Sequence, residues 1–92
     1  MVNQLTLNLD GNILKSKEEL HNTIVWQLEL PDYYGHNLDA LWDTLSTWSK
    51  PLVIEVIHAE QFTVNLGDYA DALFGLLRDA ADENKVVILN IS

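Results

Sequence analysis

The spacing of apolar residues changes repeatedly along the chain, and each change predicts an element. Leu5, Leu7 and Leu9 alternate with Thr6 and Asn8, the two-residue period of a strand with one buried face. Asp10-Gly11 follows as a turn signal. Ser16 opens Ser-Lys-Glu-Glu, with Glu19 three residues on, which is the form of a capping box. Leu20, Ile24 and Leu28 then keep i, i+4, i+8 spacing, so a helix with one apolar face is predicted. Pro31 stops it at about Leu30. Pro31 to His36 reads as an exposed loop. A second helix runs from Asn37 or Leu38 to Trp48, with Leu38, Leu41, Leu45 and Trp48 as its apolar stripe. Trp48 is therefore expected to be buried. Trp42, beside the stripe, is expected to stay partly exposed. Leu52 to Ile57 carries a single charge, Glu55, and reads as a buried strand. His58 to Gly67 reads as a loop or irregular crossing. A third helix is predicted from Asp68 to Asp82, with Tyr69, Leu73, Leu76, Leu77 and Ala80 inward. Val86 to Ile91 reads as a last buried strand.

The order β-α-α-β-α-β predicts an α/β fold: one small domain over residues 1–92, a three-stranded parallel sheet packed with helices through right-handed crossovers. The two later strands look more buried than the first, and neither is expected at a fully exposed edge. With 92 residues there is room for one core only. A hydrophobic content of 48% is too high for a disordered chain. No run approaches the ~20 apolar residues of a membrane span. The opening residues lack the basic and apolar regions of a signal peptide.

Cysteine is absent, which removes disulfides, zinc-thiolate sites and thiol nucleophiles, and favours a reducing cytoplasm. The three histidines, His21, His36 and His58, have no metal-ligand partner at helical spacing. Nothing matches a phosphate-binding glycine loop or a nucleophile elbow. No metal, no cofactor and no enzyme activity are expected. His21, next to core-facing Leu20, is expected to be structural or solvated.

Charge adds a direction. Five Lys and Arg stand against 14 Asp and Glu, for a net charge of -9. Between Glu18 and Leu77 the only base is Lys50, among ten acids. Such a chain repels nucleic acid and anionic membrane and attracts a basic partner. On the second helix Asp39, Asp43 and Ser46 fall at i, i+4, i+7 and share a face offset from the apolar stripe. Asp32, Tyr33 and Tyr34 precede them. Like charges at i, i+4 weaken a helix, and Asp is a poor interior helix residue. This conflict with local stability points to function, against the plainer alternative of a solvated acidic face. Acid–base catalysis needs a cleft, which one exposed helix turn does not make. Two carboxylates are too few ligands for a hard cation. Presenting negative charge and aromatic area to a basic protein needs nothing further.

The segment LPDYYGHNLDALWDTLSTW, from Leu30 to Trp48, resembles the barstar family of ribonuclease inhibitors. The likeness continues through Pro51 to Glu55 and returns at Arg78-Asp79-Ala80 and the closing strand, with Leu20-His21 and Thr23 fitting at the front. The resemblance implies a three-stranded parallel sheet with packed helices. It implies a protein that occludes the active site of a small basic ribonuclease, with the second helix and its preceding loop entering the cleft. The alternative is a barstar-fold binding or immunity module for a non-ribonuclease or toxin nuclease. By resemblance Tyr33, Gly35, Asn37, Leu38, Asp39, Trp42, Asp43, Ser46 and Thr47 line the contact, Asp79 sits at its edge, and Asp43 takes the phosphate-mimicking position. The free protein is expected to be a monomer. His36 stands where the best-known barstar has an acid, Thr47 replaces a glycine, Ser46 a threonine, and Asp79 a glutamate.

Overall fold

The computed structural model describes residues 4–92, so Met1 to Asn3 of the expected domain lie outside the described residues. Seven elements follow in order: β1 (Leu5–Asp10), α1 (Lys17–Leu28), α2 (Leu38–Ser46), β2 (Leu52–Ile57), α3 (Ala59–Leu66), α4 (Asp68–Glu83) and β3 (Val87–Ile91). The strands form one parallel sheet in the order β1-β2-β3. The α/β class and the parallel three-stranded sheet are as expected.

The register explains the burial. Leu7 aligns with Ile54 and Ile54 with Leu89, so one face of all three strands is apolar. Leu7, Leu9, Ile54 and Val56 on that face are fully buried. They pack against Leu20 and Ile24 of α1, Leu41 and Leu45 of α2, Phe62 of α3, and Leu73 and Leu77 of α4 in a single core. Two consecutive right-handed crossovers running the same way along a sheet place their helices on the same face. The opposite face, with Thr6, Asn8, Val53, Glu55, Ile57, Ile88 and Asn90, is half-buried or exposed. The reading of β2 and β3 as strands buried on both sides is therefore corrected. Their apolar runs include Val53, Ile57 and Ile88, which no second helical layer covers. The edge assignment is corrected as well. β2 is the central strand, and β3 is an edge with Ile88 55% exposed. The opposite edge, β1, is closed in the middle: the Gln27 amide accepts from Asn8 N–H at 2.8 Å and donates to Asn8 C=O at 3.0 Å, which blunts pairing with another chain.

Local signals set most boundaries. Ser16 caps α1 by accepting from Glu19 N–H at 3.1 Å, and the Glu19 carboxylate accepts from Lys15 N–H at 3.1 Å. The helix stops at Leu28, two residues before the limit set by Pro31, because Glu29 turns left-handed at φ 53°. The segment read as a loop after β2 is helix α3 with the fully buried Phe62, whose ring meets Phe74 edge-on at 6.2 Å. Ala59, Phe62 and Leu66 carry a helical period, but Thr63-Val64 and the left-handed His58 that starts the helix mask it. Gly67, at φ 59°, joins α3 to α4 in a backbone conformation that favours glycine. Helix α2 ends at Ser46, so Trp48 lies beyond it and is half-buried rather than buried. Trp42 is half-buried, and Trp26 is the exposed tryptophan at 81%. No helix among the described residues is long and apolar enough to cross a membrane.

Candidate functional site

The loop from Pro31 to Asn37 is held to the domain by a few specific contacts. Tyr34 N–H donates to Pro31 C=O at 3.0 Å and closes a turn. Tyr33 then points outward, 88% exposed, while Tyr34 is buried. The two neighbouring tyrosines thus divide: one is presented and one is an anchor. The Tyr34 hydroxyl lies 2.9 Å from Nδ1 of His21, and Nε2 of His21 lies 2.6 Å from the Tyr69 hydroxyl. His21 is fully buried and is the structural histidine anticipated as one of two readings. It ties the loop to α1 and α4 together. A neutral imidazole donates through one nitrogen and accepts through the other, so one tyrosine receives a proton and the other gives one. Burial, and secondarily the neighbouring His36, lowers the His21 pKa below the ordinary histidine value. Burial raises Tyr34 and Tyr69 above theirs.

Asn37 caps α2. Its side-chain oxygen accepts from Ala40 N–H at 2.8 Å, and its amide nitrogen donates back to Gly35 C=O at 3.0 Å. A Cβ on Gly35 would stand 3.1 Å from that amide and 3.3 Å from the Ala40 methyl. The missing side chain lets the loop lie close on the helix start. His36 adopts φ 52°, and its Nδ1–H donates to Tyr34 C=O at 2.9 Å. At the other end of α2, the Thr47 hydroxyl donates to Asp43 C=O at 2.6 Å, and the Ser46 hydroxyl does so at 3.4 Å. Asn84, after α4, donates from one amide nitrogen to Leu45 C=O and Trp48 C=O, each at 2.8 Å. Both ends of α2 are thereby fixed.

Between these ends, α2 separates two hollows. One, of about 460 Å³, lies between the loop and the helix; Tyr33, Gly35, Asp43 and Thr47 line it, with Trp48 and Lys50. The other, of about 440 Å³, lies between α2 and α4; Leu38, Asp39, Trp42, Gly75 and Asp79 line it. Asp39 and Asp43 are both exposed, and among the described residues neither carboxylate forms a salt bridge or hydrogen bond. The sequence-predicted residues therefore cluster on one surface but border two concavities. Asp79 joins Asp39 across the second one. Asn37 acts as the cap, and Ser46 lines neither hollow. Sequence reasoning missed His21, Tyr34 and Tyr69 as a connected anchor, Asn84 as a clamp, and Lys50 as a lining residue of the first hollow. The sequence signals were the place of His21 beside core-facing Leu20 and the inward position expected of Tyr69. No group of His, Asp and Glu suited to a metal occurs among the described residues.

The chain matches the family model described as Barstar (barnase inhibitor) over residues 4–90. It is similar to a curated protein of Bacillus subtilis (strain 168) named "Putative ribonuclease inhibitor YrdF". The two are 40% identical over 78 residues, covering 84% of this chain and 86% of the relative.

Proposed function

The chain belongs to the barstar family, and we propose on that footing that it inhibits a small basic ribonuclease by occluding its active site. The family and the named relative support an inhibitor role rather than an enzymatic one. The observation that carries the binding mode is the pair of exposed carboxylates, Asp39 and Asp43, with no cation among the described residues bonded to them and a hollow beside each.

A ribonuclease active site is built to hold phosphate, with Arg, Lys and His donors. A carboxylate delivered there accepts the same charge-assisted hydrogen bonds. In this reading Asp43 takes the phosphate position. Tyr33, Gly35 and Thr47 frame a cationic or aromatic side chain of the partner in the first hollow. Asp39, Trp42, Leu38 and Asp79 receive a second basic side chain in the other. Asn37 and Ser46 hold the helix ends from within the contact. Helix α2 is suited to this use because its backbone is fixed at both ends before binding, which lowers the ordering cost of association.

The test is inhibition. The purified chain is titrated into barnase hydrolysing RNA, and the activity lost is followed against inhibitor concentration. Stoichiometric loss of activity is the expected result. Full activity at a large excess of the chain rejects the ribonuclease reading.

A further inference from the structure

The interior contains one buried histidine, and the loop that carries the proposed contact residues hangs from it. His21 on α1 is fully buried and bridges the hydroxyls of Tyr34 on the loop and Tyr69 on α4. A second histidine, His36, sits on the same loop with its ring centre 6.3 Å from that of His21 and 5.3 Å from that of Tyr34. The four rings form one cluster spanning three segments of the chain. Lys17 is a charged neighbour, with its ammonium 4.5 Å from the centre of the Tyr69 ring; Glu18 follows it on α1, and Asp68 precedes Tyr69 on α4. Among the described residues no carboxylate hydrogen-bonds to any of these rings or to Lys17.

We propose that His21 and His36 form a proton-operated latch, closed at neutral pH and released in mild acid, that sets whether the loop from Pro31 to Asn37 is held in place. The inference rests on the inhibitor reading only for its consequence, which is that acid loosens the grip on the nuclease.

The physical argument runs through charge and mobility. His36 is exposed. Its Nδ1–H serves Tyr34 C=O, so a proton taken up by the ring would go to Nε2 and leave that bond in place. The result is a positive charge close to His21, with Lys17 already present and, among the described residues, no carboxylate bonded to either. A second charge on His21 would be buried and would face like charge. Tyr34 and His36 both ride on the loop, whereas His21 rides on α1. Moving the loop away separates the charges and admits water to His21. His36 also holds a left-handed backbone, φ 52°, so opening relieves local strain.

The sign of the pH effect follows from linkage. The closed arrangement lowers the His21 pKa, through burial first and His36 second. It therefore binds fewer protons than the open one in mild acid. Its stability falls as pH drops below the free histidine value of about 6.5 and continues to fall until the lowered value is passed.

The experiment measures hydrogen exchange of the Tyr34 amide in the free protein between pH 7.5 and 5.0, corrected for the intrinsic pH dependence of exchange. That amide is bonded to Pro31 C=O at 3.0 Å and reports loop opening. Its protection is expected to fall by up to about tenfold per pH unit below about 6.5. In His36→Asn, which tolerates the left-handed backbone and removes the second charge, the fall is shallower and the His21 ring titrates at higher pH. In His21→Gln the protection is low and flat with pH. If that variant does not fold, the His36→Asn comparison decides alone. Protection that is constant from pH 7.5 to 5.0, or that falls identically in the parent and His36→Asn, overturns the latch. Barnase is added in a separate arm at pH 7.5, and failure to inhibit it there overturns the ribonuclease reading while leaving the exchange result standing.

Discussion

Asp43 illustrates how a single residue divides stability from binding. It lies inside α2, where aspartate is unfavourable, and four residues after Asp39, where like charge is unfavourable again. Its carboxylate is exposed and has no partner among the described residues. Asp43→Ala is therefore expected to keep or raise folding stability, by about 0.5 kcal/mol. The same change should weaken nuclease binding by at least about 3 kcal/mol, more than a hundredfold in Kd, because it leaves the partner's cationic donors buried without an anion. Calorimetric titration beside a thermal melt checks both halves. Binding within tenfold of the parent rejects the central role of Asp43, and a large fall in Tm makes the aspartate structural. Asp39→Ala should weaken binding less. Its carboxylate borders the hollow shared with Asp79, so a second acid remains there.

The element that matters most is α2, which is too short to be stable alone. Its nine residues bury only Leu41 and Leu45 completely. The rest of its order comes from its ends: the Asn37 cap, the loop held through Tyr34, and Asn84 bonding the Leu45 carbonyl in the last turn and the Trp48 carbonyl just beyond it. Asn84→Ala removes both of those bonds and leaves the Trp48 carbonyl half-buried with a partner lost. A loss of about 1–3 kcal/mol is expected, which in a domain of this size lowers Tm by roughly 4–8 °C per kcal/mol. A thermal melt measures this, and an unchanged Tm would show that α2 holds its place without the clamp. Sequence periodicity located the helix and its buried pair, Leu41 and Leu45, but extended the stripe to Trp48. The period continues through Trp48, whereas the backbone leaves the helix at Thr47.

At the scale of the whole molecule, charge acts before contact. The net charge of -9 is spread over a chain whose middle stretch contains one base. Its field should guide a basic nuclease toward the acidic side and raise the association rate above the 10⁵–10⁶ M⁻¹s⁻¹ typical of unsteered pairs, by roughly one order of magnitude or more at low salt. Stopped-flow measurement over a range of ionic strength tests this. The rate should fall steeply with salt, and a flat profile would remove steering from the account. The same field opposes self-association through the uncovered face of the sheet, where Ile57 and Ile88 are exposed.

Several features of this protein are written locally. The alternation at Leu5 to Leu9, the spacing of Leu20, Ile24 and Leu28, and the capping box at Ser16 and Glu19 each report on backbone a few residues long, so they could be read directly. The acids and aromatics of the loop and α2 were legible for the same reason, since they are contiguous in the chain. Other features required the crossovers to be complete. Both pairs of helices pack on one face, as two right-handed connections running in the same direction require, and this left Val53, Ile57 and Ile88 uncovered despite their strand-core composition. His21, Tyr34 and Tyr69 come from three separate segments, and no local period links them. Asp39 and Asp79 come to line one hollow, and Asn84 reaches Leu45, only after α4 has packed against α2. Periodicity records which face of an element is buried. Polar contacts between distant segments depend on how those faces come together, and that is decided by tertiary packing.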